Sequence, residues 1–321
     1  MQDPLGRTVR YLRLSLTPAC HMRCVYCRPD FHTNHAPDML TPGELEAVVR
    51  HLVARHSVRK VRLTGGDPTA RADLIEIIER LAMIDGIDDL AMTTNGLSLA
   101  SRARAYARAG LDRVNVSLDS LDPEEFASMT GIDGLGRVLR GIDVAIDAGL
   151  TPLKLNTVVF RGGNESQLPD LVRYAVSRDA AIRFIELMPM GPLGAQWADR
   201  YVPEEEMRAI LDEIVAAWAP LPQGSDSAKA FRATLRDGGK ATIGFITPMS
   251  CNFCSACNRV RIASDGSLYP CLMDNPSGSI LEAIRPRFDA EQFDNLLREG
   301  LAKKAPEHPS RGFVTMTIIG G

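Results

Sequence analysis

The sequence predicts an α/β fold: an incomplete (β/α)6 TIM-type barrel followed by a C-terminal extension. Three observations carry this. Six strand-like runs alternate with helix-like ones between residues 11 and 189, the pattern of a parallel sheet with helical crossovers. The chemistry-bearing residues gather just after those strands, where barrel and open α/β enzymes place their sites. Six units are too few to close an eightfold barrel.

The first run, "YLRLSL" at 11–16, sets Leu12, Leu14 and Leu16 on one face and Arg13 and Ser15 on the other, the period of a strand. Five more follow: "KVRLTG" (60–65), "DLAMTTNG" (89–96), "RVNVSLD" (113–119), "LKLNTVVF" (153–160) and "AIRFIELMP" (181–189). Between them, 42–56, 70–83, 99–109, 135–148 and 167–178 carry apolar residues at helical spacing. "TPGE" at 41–44 marks a helix start, and Gly110 and Gly149 mark ends. A helix is expected over 204–217, a boundary in the Pro/Gly/Ser-rich "APLPQGSDS" (219–227), a strand at 240–246 and a last helix near 288–302. The expected domains are therefore 1–220 and 221–321.

The composition is that of an ordinary globular protein, with 24% charged residues and a formal net charge of -3. No chain-wide basic field points to nucleic acid. No apolar run reaches the roughly 18 residues of a membrane span, and "MQDPLGRTVR" has no apolar signal core. A cytoplasmic protein is expected.

All seven cysteines fall in two windows, three in 20–27 and four in 251–271. Clusters of this kind are metal ligands or redox groups more often than disulfides. In the first window Cys20, Cys24 and Cys27 are spaced C-x3-C-x2-C, with Tyr26 before the last. Three readings fit: buried structural thiols, a zinc site completed by His21 or His32, or a [4Fe–4S] cluster on three thiolates that leaves one iron open. The second window holds Cys251, Cys254, Cys257 and Cys271, which by spacing also suits zinc. Beyond Cys257, Arg259 and Arg261 alternate along an extended run and project to one side. Two guanidiniums so placed suit a phosphate.

The first window, at the end of the first strand of a β/α chain, resembles the radical S-adenosylmethionine (SAM) superfamily. Together with "RLTGGDP", "TTNG", "RVNVSLDSLDPEEF", "KLNTVV", "IRFIELMP", "FCSACNRVRI" and the terminal "IGG", it resembles one subgroup nearly end to end: the GTP 3′,8-cyclases of molybdenum cofactor biosynthesis. The resemblance implies a partial barrel of the radical SAM kind with an iron–sulfur-binding C-terminal extension, and two [4Fe–4S] clusters. One would sit on Cys20, Cys24 and Cys27 with SAM on its open iron, the other on Cys254, Cys257 and Cys271 with GTP as guest. Cys251 is then a spectator thiol or a substitute ligand. Tyr26, Gly66, Ser117 and Met188 match SAM contacts, with Asn95 a polar neighbour of that pocket. Arg13, Arg62, Thr93, Lys154, Arg183, Arg259, Val260 and Arg261 match GTP contacts. Gly320 and Gly321 match a tail that threads into the active site and counts there as catalytic.

The implied reaction takes hydrogen from C3′ of GTP with a 5′-deoxyadenosyl radical and joins C3′ to C8, giving 3′,8-cyclo-7,8-dihydro-GTP. Implied partners are a flavodoxin- or ferredoxin-like electron donor, a cyclic pyranopterin monophosphate synthase that takes the product, and a second copy of the chain. The sequence departs from the family at Pro18-Ala19, at Arg28 and at Asp67, where a glutamate is usual. Two rival readings are a radical SAM enzyme acting on another substrate, such as a peptide or a different nucleotide, and a two-zinc binding module.

Overall fold

The computed structural model describes residues 1–27, 39–222, 224 and 226–308. Arg28, His32, Gly320 and Gly321 of the readings above lie outside them.

The six expected units form. They are β1 (Tyr11–Ser15), α1 (Pro42–His56), β2 (Lys60–Thr64), α2 (Leu74–Ala82), β3 (Asp89–Thr94), α3 (Leu99–Arg108) and β4 (Arg113–Ser117), then α4 (Pro123–Thr130), α5 (Leu135–Asp147), β5 (Lys154–Val159), α6 (Leu168–Ser177) and β6 (Ala181–Glu186). Beyond them come α7 (Trp197–Arg200), α8 (Glu204–Leu211) and the strands β7 (Val215–Pro220), β8 (Ala228–Leu235) and β9 (Lys240–Ile246). The chain then forms β10 (Arg259–Ile262), β11 (Ser267–Tyr269), β12 (Gly278–Ser279), α9 (Leu281–Ile284) and α10 (Ala290–Ala302).

Local chemistry explains the boundaries. Thr41 and Glu44 close a reciprocal capping box on α1, with Pro42 in the first turn. After α5 the chain turns at Gly149, whose φ of +81° favours glycine. The helix α4 was not expected. It begins where Asp122 accepts from the amide of Glu125 and Pro123 occupies the first turn.

The stretch 204–217 divides differently from expectation. Its helix ends at Leu211, and Val215 to Pro220 form the edge strand β7, paired antiparallel to β8. The Pro-rich segment is therefore the end of a strand and the turn of a hairpin. Pro220 is tolerated because β7 is an edge strand of the sheet.

Among the described residues, twelve strands form one continuous sheet, β12-β11-β10-β1-β2-β3-β4-β5-β6-β9-β8-β7. β1 to β6 run parallel, β10 is parallel to β1, and β9 is parallel to β6. The outermost strands are β12 and β7, so the sheet is an open partial barrel rather than a closed one. Its helix-facing residues, such as Leu12, Leu63, Val114, Leu155 and Phe184, are fully buried in the main core with the helices.

Candidate active site

The opposite face of the sheet lines a cavity of about 430 Å³. Strand parity selects its walls. Leu12 and Leu14 of β1 enter the core while Tyr11 and Arg13 face the cavity, and Val260 and Ile262 of β10 enter the core while Arg259 and Arg261 face it. Val260, matched to the GTP set, thus has its side chain buried on the far side of the sheet.

Six of the seven cysteines line this one cavity: Cys20, Cys24, Cys27, Cys254, Cys257 and Cys271. Topology places them at its two ends. The first three follow the C-terminal end of β1. Cys257 precedes the N-terminal end of β10, which is parallel to β1, and Cys271 follows the antiparallel β11, which ends at that same level. A five-residue strand lies between the two ends, roughly 16 Å at 3.3 Å per residue. Cys251 is exposed and absent from the cavity wall. It lies instead near Lys229, and is the spectator of the two alternatives this geometry favours.

Each triad fits a cluster better than a single ion. All six thiols are free of disulfides. Among the described residues, in neither triad do all three sulfurs lie within 4.8 Å of one another, whereas tetrahedral zinc, at about 2.3 Å from each sulfur, holds all its thiolates closer than that. Cys20 Sγ accepts from the Met22 amide at 3.4 Å and from Asn95 Nδ2 at 3.6 Å, donors suited to a thiolate. Burial first, then Asp119 and the neighbouring cysteines, push the Cys24 thiol well up. Burial also opposes ionisation of Cys257, yet Lys304 and Arg259 outweigh it and hold that thiol below its ordinary range.

The loop after β2 is built against the first triad. The Gly66 amide donates to Thr17 O and the Asp67 amide to Ala19 O, both at 2.7 Å. A Cβ on Gly66 would lie 2.4 Å from Ala19 O and 2.5 Å from Pro18 O, so only glycine permits this approach. Asp67 is fully enclosed. It accepts from the Thr69 amide and hydroxyl, from the Thr94 hydroxyl and from the Asn95 amide. Gly66, Ser117, Met188 and Tyr26 all reach the cavity. The Tyr26 hydroxyl donates to Asp119 at 2.7 Å, and Asp119 also accepts from the Val158 amide at 2.9 Å. Burial still raises the Asp119 carboxyl to about 6.

Between the two ends the wall is cationic. Arg13 stands in register with Arg261 on one side and Arg62 on the other. The Tyr11 ring has the Arg62 guanidinium 5.6 Å and that of Arg259 5.9 Å from its centroid, and Phe253 packs on Arg259 at 5.3 Å. Across the cavity, Lys154 and Arg183 come from β5 and β6, and Arg62 donates to Thr93 Oγ1 at 3.5 Å. Burial, then the surrounding guanidiniums, lower Arg183 to about 9, Arg261 to about 10 and Lys154 to about 8, and lower Arg13 as well. Among the described residues, Arg183 Nε and Nη2 and Arg62 Nε have no hydrogen-bond partner. Buried cations of this kind require an anion.

Sequence reasoning missed several wall residues: Arg113, held by Asp89 at 2.6 Å, and Asn115, Asn156 and Lys304. Arg113 and Asn115 share the strand parity of Ser117, and Asn156 that of Lys154, so extending the inward face by two residues would have found three of them. Lys304 donates to the carbonyls of Cys257 and Arg259, a long-range contact with no local signal. Glu186 was likewise missed. At the end of β6 it accepts from the amides of Met249 and Ser250, each at 3.0 Å, and so anchors the turn that leads into the second cysteine window.

Known proteins match this arrangement. Residues 14–175 fit the radical SAM superfamily profile and 180–310 that of Molybdenum Cofactor Synthesis C. A GTP 3′,8-cyclase of Pelotomaculum thermopropionicum is 42% identical over 315 residues, covering 96% of this chain and 95% of its own. That of Alkaliphilus metalliredigens is 38% identical over 310 residues, covering 96% and 94%. Among solved structures, Streptococcus suis SuiB bound to its precursor peptide SuiA has the same fold, with a TM-score of 0.62 at 12% identity, covering 95% of this chain and 72% of that one. The chain belongs to the radical SAM superfamily and, within it, to the GTP 3′,8-cyclase family of molybdenum cofactor biosynthesis.

Proposed function

We propose that this chain converts GTP to 3′,8-cyclo-7,8-dihydro-GTP, the first step of molybdenum cofactor biosynthesis. The observation that carries this reading is the single cavity with three thiols at each end and buried, anion-demanding cations between them.

Cys20, Cys24 and Cys27 would hold one [4Fe–4S] cluster and Cys254, Cys257 and Cys271 a second. With SAM bound, the first supplies a 5′-deoxyadenosyl radical. Gly66, Ser117, Met188 and Tyr26 serve the SAM pocket, and Asp119 fixes the Tyr26 ring there. Arg259 and Arg261, at the end nearest the second triad, with Arg13 beside them, grip the triphosphate. Arg62, Lys154 and Arg183 continue the cationic wall, and Thr93 offers a hydroxyl. Two anchors so spaced hold the ribose between them, which would place C3′ beside the SAM pocket without a bimolecular search and hold the base so that C8 faces C3′. Enclosure by the sheet keeps water from that gap.

The Gly320-Gly321 tail, the division into lobes 1–220 and 221–321, a cytoplasmic location, a flavodoxin- or ferredoxin-like donor, the synthase that receives the product, and a homodimer complete the proposal. Among the described residues no helix is long and apolar enough to cross a membrane.

The test is anaerobic turnover with reductant, SAM and GTP, followed by chromatographic separation of the nucleotides. A new isomer of GTP formed alongside 5′-deoxyadenosine is the expected result. Release of 5′-deoxyadenosine with GTP unchanged would overturn the substrate assignment.

A further inference from the structure

Outside the catalytic cavity, His51 and His56 of α1 and Asp294 of α10 converge on one point. His51 Nε2 lies 2.6 Å and His56 Nε2 2.5 Å from the same oxygen, Asp294 Oδ1. All three ligand atoms fall within 4.8 Å of one another, and the described residues contain no other such group of histidine, cysteine and carboxylate side chains. None of the three lines the catalytic cavity.

The convergence is held in place. The His51 ring packs against Phe288 and Phe293, each with its centroid 5.3 Å away, and meets the His56 ring at 5.6 Å. These contacts aim Nε2 outward at Asp294. The side chains of His51, His56 and Asp294 are only 10%, 18% and 21% exposed, yet His51 and Asp294 open onto a surface cleft also lined by Glu291. Glu291 precedes Asp294 by three residues on α10, which puts both carboxylates on one helix face.

We infer that His51, His56 and Asp294 form a binding site for a borderline divalent cation, Zn²⁺ being the best match, that staples α1 to α10. Two imidazole nitrogens and a carboxylate make a three-ligand set suited to zinc, with a fourth position for water or Glu291. With both imidazoles neutral, Asp294 Oδ1 can accept from both Nε2–H groups through its two lone pairs; a divalent cation would replace those two hydrogen bonds with three coordinate bonds. A cation in their midst accepts a lone pair from each group. Arg55 and Arg298 on the cleft rim oppose a cation only weakly, because exposed charges are screened. The staple would join the first helix of the barrel to the C-terminal helix, whose end delivers Lys304 to the carbonyls of Cys257 and Arg259.

The test is titration of chelator-treated, cluster-loaded protein with Zn²⁺, followed by calorimetry, by thermal unfolding and by the cluster absorbance. The expected result is one zinc per chain beyond the iron, a melting temperature raised by several degrees and unchanged cluster absorbance. The double variant His51→Ala/His56→Ala should bind zinc at least tenfold more weakly, with no thermal shift. Should that variant fold poorly, His51→Gln, whose amide can still donate to Asp294, is expected to lose the zinc response while keeping its metal-free melting temperature. Zinc uptake equal in wild type and His51→Gln, or uptake that only bleaches the clusters, would overturn the assignment, as would a wild type that takes up none.

Discussion

Asp67 accepts a 2.6 Å hydrogen bond from the backbone amide of Asn95, tying the loop after β2 to the loop after β3 at the mouth of the first cysteine triad. The same carboxylate takes the Thr94 hydroxyl at 2.9 Å and the Thr69 amide at 2.8 Å. Its role is to brace two loops. Asp67→Ala strands several buried donors, each at a cost of about 1–3 kcal/mol. The variant is expected to lose about 3 kcal/mol or more in denaturant titration and to bind SAM more weakly while retaining iron. Unchanged stability would refute the bracing role.

Arg259→Ala should separate the two ends of the cavity. The Arg259 guanidinium lies between the Tyr11 and Phe253 rings, on the second-triad side. A hydrogen bond to a charged group is worth about 1.5–3 kcal/mol. GTP affinity is therefore expected to fall about ten- to a hundredfold, with uncoupled SAM cleavage largely intact. Equal loss of SAM cleavage would place this arginine at the wrong end.

Lys154 predicts a pH dependence. Burial, then Arg183 and Arg113, lower its ammonium from 10.5 to about 8. Between these values the unfolded chain binds the extra proton, so this group makes the ligand-free protein more stable as pH rises from 8 toward 10.5. A bound triphosphate restores the proton. Binding above pH 8 should then take up a proton, and GTP affinity should weaken by up to about tenfold per pH unit. Calorimetry in buffers of differing ionisation enthalpy measures the uptake, and Lys154→Met should reduce it. An unchanged uptake in that variant would assign the proton elsewhere.

The cysteines divide by place. Cys251 is exposed and outside the cavity wall, while Cys271 belongs to it. Anaerobic reconstitution should give about eight irons per chain for two [4Fe–4S] clusters. Cys251→Ser should keep that count, and Cys271→Ser should bring it to about four. Colourless protein holding stoichiometric zinc would contradict both clusters.

Much of this was legible in the chain. The alternation of Leu12 and Leu14 with Arg13 fixes which face of β1 meets the cavity, and the same parity on β10 predicts Arg259 and Arg261. Basic residues stand out in strands because burial there needs a reason. Register across strands was not legible. That Arg261, Arg13 and Arg62 form one rung depends on β10 pairing with β1, about 245 residues away in sequence, and no local pattern encodes such a pairing. The edge strand β7 was misread because Val215 to Ala219 is rich in alanine, a helix former, while pairing with β8 decided its conformation. Asp119 and Glu186 hold their partners through contacts made only on folding.

The placement of the ribose between the two triads is tested most directly with GTP deuterated at C3′. Under anaerobic turnover, the deuterium is expected in 5′-deoxyadenosine, and the new GTP isomer should be lighter than its labelled parent by that one deuterium replaced with hydrogen. Unlabelled 5′-deoxyadenosine, or a nucleotide product that keeps the deuterium, would contradict it.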